Sequence, residues 1–336
     1  MENQKHNFSN LTEAAEGIKD DDSLRFGGFQ AATDVPFLSI GLLSFLTNLF
    51  IITTILRRRN LRTTSNIILV SLGISDLLTG LVAVPLQITC SVVLDRGVCI
   101  ATAIFTKFIS ISTIAHISII TVDWHIFIIH ALRYHVLVRK RYVLATLFVV
   151  WLINSGIALV RLAWALEINV TEDEDDKLHN KETQYNLFCL GIFCLLLMTN
   201  IILDVNMLVV LGKQVNKIIK HNLTRECLVH ENRMRSNQRR AVVMCVLMLV
   251  INVILWLPYF TYDLWQDQGA WVLSVEGEYV ILSVRVLSSF LNPIIYTIGQ
   301  RTLRKVVVKK LRVAFACKQS QECKTEEIPL NEITRN

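Results

Sequence analysis

Charge is scarce in this sequence. Only 18% of its 336 residues are charged and 52% are hydrophobic, giving a mean hydropathy of +0.45. That balance excludes a soluble domain of ordinary composition, and the charges lie between apolar stretches rather than through them. A dense cysteine framework is missing as well. The eight cysteines are scattered, most of them within or beside apolar stretches, so a small disulfide-stapled fold is excluded. Met1 to Asp34 is polar and acidic, without the basic and apolar regions of a cleavable signal peptide, and the first apolar run is expected to act as the targeting signal. The strict alternation of barrel strands is absent, and no repeat relates the first runs to the last as in inverted-repeat transporters. Catalytic carboxylate pairs and metal-spaced histidines are also lacking. His116 and His130 stand fourteen residues apart with no companion cluster, so an enzyme is not expected.

What is there is a set of seven apolar runs: Val35–Leu56, Asn66–Cys90, Val98–Ile129, Val143–Leu166, Tyr185–Leu211, Ala241–Asp263 and Trp271–Ile298. A hydrocarbon layer of about 30 Å needs about 20 apolar residues as a helix, a length that soluble core helices rarely require. The basic connections alternate with acidic or neutral ones. Arg57–Arg59, Arg133 to Arg141, Lys213 to Arg240 and Arg301 to Arg312 fall on one side, which makes that side cytoplasmic. The N-terminus is then extracellular and the C-terminus cytoplasmic. Sequons at Asn7, Asn10 and Asn169 fall on the outer side, where glycosylation occurs, and the one at Asn222 on the inner side is read as chance.

Polar residues inside these runs carry the functional signal. Asp76 places a carboxylate in mid-membrane, which costs at least about 2.5–3.5 kcal/mol on insertion scales. Pro258 in the sixth run and Pro293 in the seventh each remove a helical hydrogen bond and bend the helix. The order and spacing of Asn48, Ser71-Leu72-Gly73-Ile74-Ser75-Asp76, Pro85, Cys99, Asp123, Trp151, Trp256-Leu257-Pro258 and Asn292-Pro293-Ile294-Ile295-Tyr296 resemble those of rhodopsin-like (class A) G-protein-coupled receptors. The resemblance covers roughly Val35 to Cys317. It implies an all-α, seven-transmembrane helix bundle, with residues 1–34 as an extracellular tail, 35–298 as the receptor domain, 299–317 as an amphipathic membrane-surface helix and 318–336 as a cytoplasmic tail.

The resemblance also implies roles. Asp76, Thr113, Ser288, Ser289 and Asn292 are the expected oxygen ligands of a structural sodium ion. The alternative is that Asp76 only hydrogen-bonds Asn48 and Asn292. Trp256 over the Pro258 kink is the expected toggle, and Asp123, Trp124, Asn292, Pro293 and Tyr296 complete the switch. Ligand contacts are expected from Thr106, Lys107, Ser110, Trp256, Tyr259, Phe260, Asp263, Leu282 and Arg285. Arg285 is open to two readings, facing an anionic ligand group or pairing with Asp263. Thr106 stands where amine receptors carry an aspartate, which disfavours a monoamine, and the seventh run has no lysine to hold retinal. Family members pair the cysteine at Cys99 with one in the loop before the fifth run. The acidic loop Glu167 to Thr183 contains none, so Cys189 is taken as the partner, with Cys90 as the other candidate. Cys317 is the expected palmitoylation site.

The chain departs from the family pattern at the switch. Trp124 replaces the arginine of the Asp-Arg-Tyr motif, Gln238 the acidic partner on the sixth helix, Asp204 a tyrosine on the fifth, and Asn252 a phenylalanine below Trp256. The expected function is transduction of an unidentified extracellular ligand to a heterotrimeric G protein at the plasma membrane. The alternative is a non-signalling decoy or dimer-partner receptor with a disabled switch. Apart from membrane lipid no other partner is expected, and none is nucleic acid; beyond the possible sodium ion no cofactor is expected.

Overall fold

The computed structural model describes residues 28–130, 133–165, 172–219, 225–267 and 274–326. These form eight main helices and, among the described residues, no strand: α1 Ala31–Arg57, α2 Thr64–Val93, α3 Arg96–Ile129, α4 Lys140–Ala165, α5 Glu172–Ile219, α6 Arg225–Asp267, α7 Val275–Gly299 and α8 Arg301–Glu326. The first seven each contain a stretch long and apolar enough to cross a membrane. The chain is therefore a multi-pass membrane protein built as a seven-helix bundle. Side-chain oxygens fix several starts. Thr63 accepts from Asn66 N–H at α2, Asp95 from Val98 N–H at α3 and Ser274 from Gly277 N–H at α7, each satisfying one of the four orphan donors of a helix N-terminus.

Two helices run well past their apolar cores. The acids Glu172 to Asp176, expected in a loop, form the first turns of α5, and Arg225 to Gln238 extend α6. Glutamate, lysine and arginine are good helix formers, and negative charge at a helix start suits its dipole.

α3 lies at the centre, against α2, α4, α5 and α6, while α7 packs on α1, α2 and α6. The α1–α2 crossing is close. A Cβ on Gly80 would collide with the Gly41 carbonyl and stand 2.9 Å from the Phe45 nitrogen. Gly80 belongs to a π-helical turn, Thr79–Ala83, just before Pro85. The wider turn accommodates the carbonyl that the proline ring would otherwise strike.

The expected Cys99–Cys189 disulfide is not what forms. Cys99 is bonded to Cys90, across a turn in which Leu94 takes a left-handed conformation (φ 55°) and Asp95 at once caps α3. That hairpin-like reversal brings the two Cα atoms to 4.8 Å, within bridging range. Cys189 is instead a buried thiol in α5, packed with Ile111 and Tyr185. The bridge marks one end of the bundle, called here the disulfide end; the other is the α8 end. Asn7, Asn10, Asn169 and Asn222 lie outside the described residues, as do the side chains of Asp263 and Cys317.

Candidate functional site

Three layers of polar groups run down the bundle interior. Near the disulfide end, side chains of α3, α5, α6 and α7 pack into an aromatic cluster. Trp256, Tyr259 and Phe260 follow one another along α6, and the Phe193 ring of α5 meets Phe260 at 4.6 Å. Two cations enter it from opposite helices. Lys107 Nζ lies 5.7 Å from the Tyr259 and Phe260 ring centres, and Arg285 Cζ lies 4.9 Å from Tyr259 and 5.9 Å from Trp256. Both side chains are only 2% exposed. Charge so far from water is retained only at considerable cost, which the negative ring faces partly offset.

The cluster gathers most of the expected contact residues: Lys107, Trp256, Tyr259, Phe260, Leu282 and Arg285 are all buried there. Thr106 is buried with its hydroxyl unmatched, whereas Ser110 turns its hydroxyl back to the Thr106 carbonyl. Phe37, Phe193 and Tyr279 were not anticipated. Tyr279 packs edge-on against Phe37 at 5.6 Å and shares a 2.9 Å hydrogen bond with Ser91. Its spacing from Leu282 and Val286 on one face of α7 is the sequence signal that could have found it.

One turn below Trp256, the middle layer begins. Asn252 donates to Asn292 Oδ1 (3.3 Å), and Asn292 donates to Asp76 Oδ2 (3.0 Å). Asn48, a partner of Asp76 only in the alternative reading, instead bridges backbone, donating to the carbonyls of Ser44 and Ser289 at 2.9 Å each. Asp76 Oδ1, Ser75 Oγ and Thr113 Oγ1 are buried with no hydrogen-bond partner. Ser289 donates to Thr79 and Ser288 to the Arg285 carbonyl. A hard cation is suited by such orphaned oxygens. Asp76, Thr113 and Asn292 therefore fit a sodium ion as they stand, while Ser288 and Ser289 would have to turn. Beside this layer, Ser71 joins α3 to α4: it meets His116 Nε2 at 2.8 Å and accepts from Trp151 Nε1 at 2.9 Å.

The third layer lies at the α8 end. Asp123 accepts from Ser65 Oγ (2.6 Å) and from the Tyr134 hydroxyl (2.8 Å), so both of its oxygens are satisfied without an arginine. Burial, and then the Asp123 carboxylate beside it, push the Tyr134 phenol well above its ordinary pKa, so it remains a donor across the whole working range. Trp124 stands edge-on to Phe127 and with it lines a cavity of about 500 Å³. That cavity opens between α2, α3, α6 and the α7–α8 junction. Asp204, where a tyrosine was expected from the family pattern, is 3% exposed with both carboxylate oxygens unmatched. Tyr296 is fully buried against the same core as Met244 and Met248.

The geometry thus joins an aromatic cluster at one end to an open cavity at the other through buried polar contacts. A family model described as "7 transmembrane receptor (rhodopsin family)" matches residues 47–296, from within α1 to the last turn of α7. The chain belongs to that family. Its relatives include a QRFP-like peptide receptor of Branchiostoma floridae, 24% identical over 92% of this chain and 85% of the relative. A histamine H2 receptor of Canis lupus familiaris is 25% identical over 79% of this chain and 75% of the relative. Human melanocortin receptor 5 is 24% identical over 80% and 81%. These rhodopsin-family relatives are receptors and not enzymes, and their spread across several kinds leaves the subfamily unassigned.

Proposed function

We propose that this rhodopsin-family receptor sits in the plasma membrane with its disulfide end outside, binds an extracellular ligand at the aromatic cluster, and passes the event to a heterotrimeric G protein at the α8 end. One observation carries the reading: α6 bears Trp256, a member of the aromatic cluster, and one turn below it Asn252, hydrogen-bonded to α7. A ligand pressing on Trp256 and a partner entering beside Trp124 would then bias the same kinked helix, and their binding is coupled by a shift of its population. The alternation of basic connections supports the orientation. Lys107 and Arg285 on the Tyr259 ring favour a ligand with an anionic group and disfavour a simple amine. Asp76, Thr113 and Asn292 would hold a sodium ion, which neutralises the buried carboxylate when bound.

The switch can be read in a second way. Asp123 is already held by Ser65 and Tyr134, and Trp124 offers no charge to a partner helix. This supports a decoy or dimer-partner receptor. Recruitment of a panel of engineered G proteins separates the two, comparing the native chain with Trp124→Arg at equal surface expression. The signalling reading expects recruitment by the native chain, with a change of less than about tenfold on substitution. Recruitment by Trp124→Arg alone would overturn it in favour of the decoy.

A further inference from the structure

Asp204 of α5 is left unheld by the third layer. It is 3% exposed, and both of its carboxylate oxygens lack a hydrogen-bond partner. Asn200 stands one turn before it on the same face, fully buried, and its Oδ1 is unmatched as well. Side chains on a helix lean toward its N-terminus, so the Asp204 carboxyl is directed at the Asn200 turn. The donors nearby are already spent. The Asn200 amide gives its hydrogens to Ser118 Oγ and to the Leu196 carbonyl, at 2.9 Å each. Ser118 gives its own hydrogen to the Ile114 carbonyl, also at 2.9 Å. Three acceptor oxygens thus lie within about one helical turn with no hydrogen to share.

α5 packs here on α3 and α6. From α6, Cys245 is near enough to feel a charge on Asp204, and its thiol meets Thr121 of α3. Met207, one turn past Asp204, is fully buried in the core that it shares with Cys245 and Met248. Two other titratable groups stand on this side of α3. Asp123 has its oxygens taken by Ser65 and Tyr134, and His125 meets α5 at Asn206 on the exposed face. No lysine or arginine among the described residues donates to Asp204. An ionised carboxylate placed so keeps its full desolvation cost, with neither cation nor donor to offset it. A neutral carboxylic acid carries a donor of its own.

We propose that Asp204 is a proton-binding site, held in the closed bundle as a carboxylic acid whose O–H donates to Asn200 Oδ1. One hydrogen supplies the missing donor and removes the charge together. A sodium ion in its place would need the ionised carboxylate, and one carboxylate, one amide oxygen and a thiol are too few to replace its water shell. The cover over the acid belongs to α6. A consequence follows that rests on the switch given under Proposed function. When α6 swings outward, Cys245 leaves Asp204, water reaches the carboxyl, and the proton passes to that water and leaves a carboxylate. Acid at the α8 end therefore favours the closed bundle by mass action.

Infrared difference spectroscopy of the full-length protein in detergent reads the proton directly. One component of the protonated-carboxyl carbonyl band, shifted in deuterium oxide, is expected to vanish in Asp204→Asn and to survive in Asp76→Asn. Asn200→Ala leaves the acid without its acceptor and is expected to move that component rather than abolish it. An unchanged band in Asp204→Asn would overturn the site, and an unmoved one in Asn200→Ala would overturn the Asn200 contact. Melting temperature gives a second reading. Asp204→Asn keeps the shape of the neutral acid and is expected to melt within about 2 °C of the wild type near pH 5.5. Raising the pH to about 8 is expected to lower the wild type by several degrees more than the variant, because the folded chain holds a proton that the unfolded chain gives up. A difference that stayed constant with pH would also overturn the proposal. Coupling to α6 is read separately, as ligand-free recruitment of engineered G proteins in permeabilised cells at mildly acidic and mildly basic pH. Recruitment is expected to rise severalfold with pH in the wild type and to stay flat in Asp204→Asn. A wild type that recruits equally at both would remove the coupling. Absence of recruitment at either would remove the signalling reading, and the infrared result would still decide the proton.

Discussion

α2 and α4 are almost equally apolar, with mean hydropathies of 2.2 and 2.3, yet 56% of α2's membrane stretch is buried in the bundle against 22% of α4's. α5 resembles α4 in this, at 2.3 and 22%. Hydropathy therefore says that a segment enters the membrane and nothing about what it touches there. The difference lies in the polar and small residues. α2 carries Ser71, Ser75, Asp76, Thr79 and Gly80 toward its neighbours, whereas α4 and α5 turn Phe148, Leu152, Ile153, Leu195 and Ile202 outward. With lipid as apolar as leucine, close packing and hydrogen bonds are what hold helices together. The seam among α1, α2, α3 and α7 has both, and the α4–α5 flank is mainly a lipid-facing surface.

The sharpest way to break this contrast is with matched glycine substitutions. Gly80→Ala drives a methyl into the Gly41 carbonyl and is expected to cost upwards of about 3 kcal/mol, read as loss of monodisperse protein in detergent. Gly156→Ala in α4 and Gly191→Ala in α5 meet nothing within 4 Å, and give the smallest effect with the opposite sign. Each is expected to stabilise by about 0.5–1 kcal/mol through helix propensity, seen as a raised melting temperature. If all three behaved alike, the seam would be no tighter than the flank.

Cysteine substitution ranks next. Cys90→Ser opens the bridge to Cys99 and is expected to cost about 2–4 kcal/mol. In that variant Cys99 becomes available to a maleimide in non-reduced, unfolded protein. Cys189→Ser leaves the bridge intact and is expected to cost less than about 1.5 kcal/mol. A loss of the bridge in Cys189→Ser would restore the pairing that the family resemblance implied.

A smaller effect should come from sodium at Asp76. Exchanging choline chloride for sodium chloride at constant ionic strength is expected to raise the melting temperature by a few degrees, equivalent to about 1 kcal/mol. Asp76→Asn should abolish the response, since it removes the charge while keeping an oxygen beside Asn292. A sodium response that survives in Asp76→Asn would move the ion elsewhere.

The seven spans were legible because hydrocarbon thickness sets a minimum apolar length, and the runs from Val35 to Ile298 meet it. Asp76 and Asn292 were legible as a pair because a buried carboxylate needs a partner and the family spacing named one; their 3.0 Å bond is the result. Other features could not be read from the chain. With Trp124 in place of the family arginine, the partners of Asp123 are Ser65, 58 residues earlier, and Tyr134. Such pairings depend on which helices meet, and no local pattern carries that. The Cys90–Cys99 bridge was misjudged because it depends on one left-handed residue, Leu94, and non-glycine residues rarely adopt that conformation.

What the sequence by itself determined is the environment and the count. Seven helices must lie in lipid, because backbone polar groups there need internal partners and only long apolar helices supply them at this composition. It also determined where charge cannot be casual: Asp76, Lys107, Asp204 and Arg285 lie inside apolar runs. What only the tertiary structure decided is which of these groups meet. Arg285 and Lys107 converge on one tyrosine, and Asn252 reaches across to α7. The reason is physical. Hydrophobic transfer is non-directional and acts residue by residue, whereas a hydrogen bond or a cation on a ring requires two helices at one depth and one rotation.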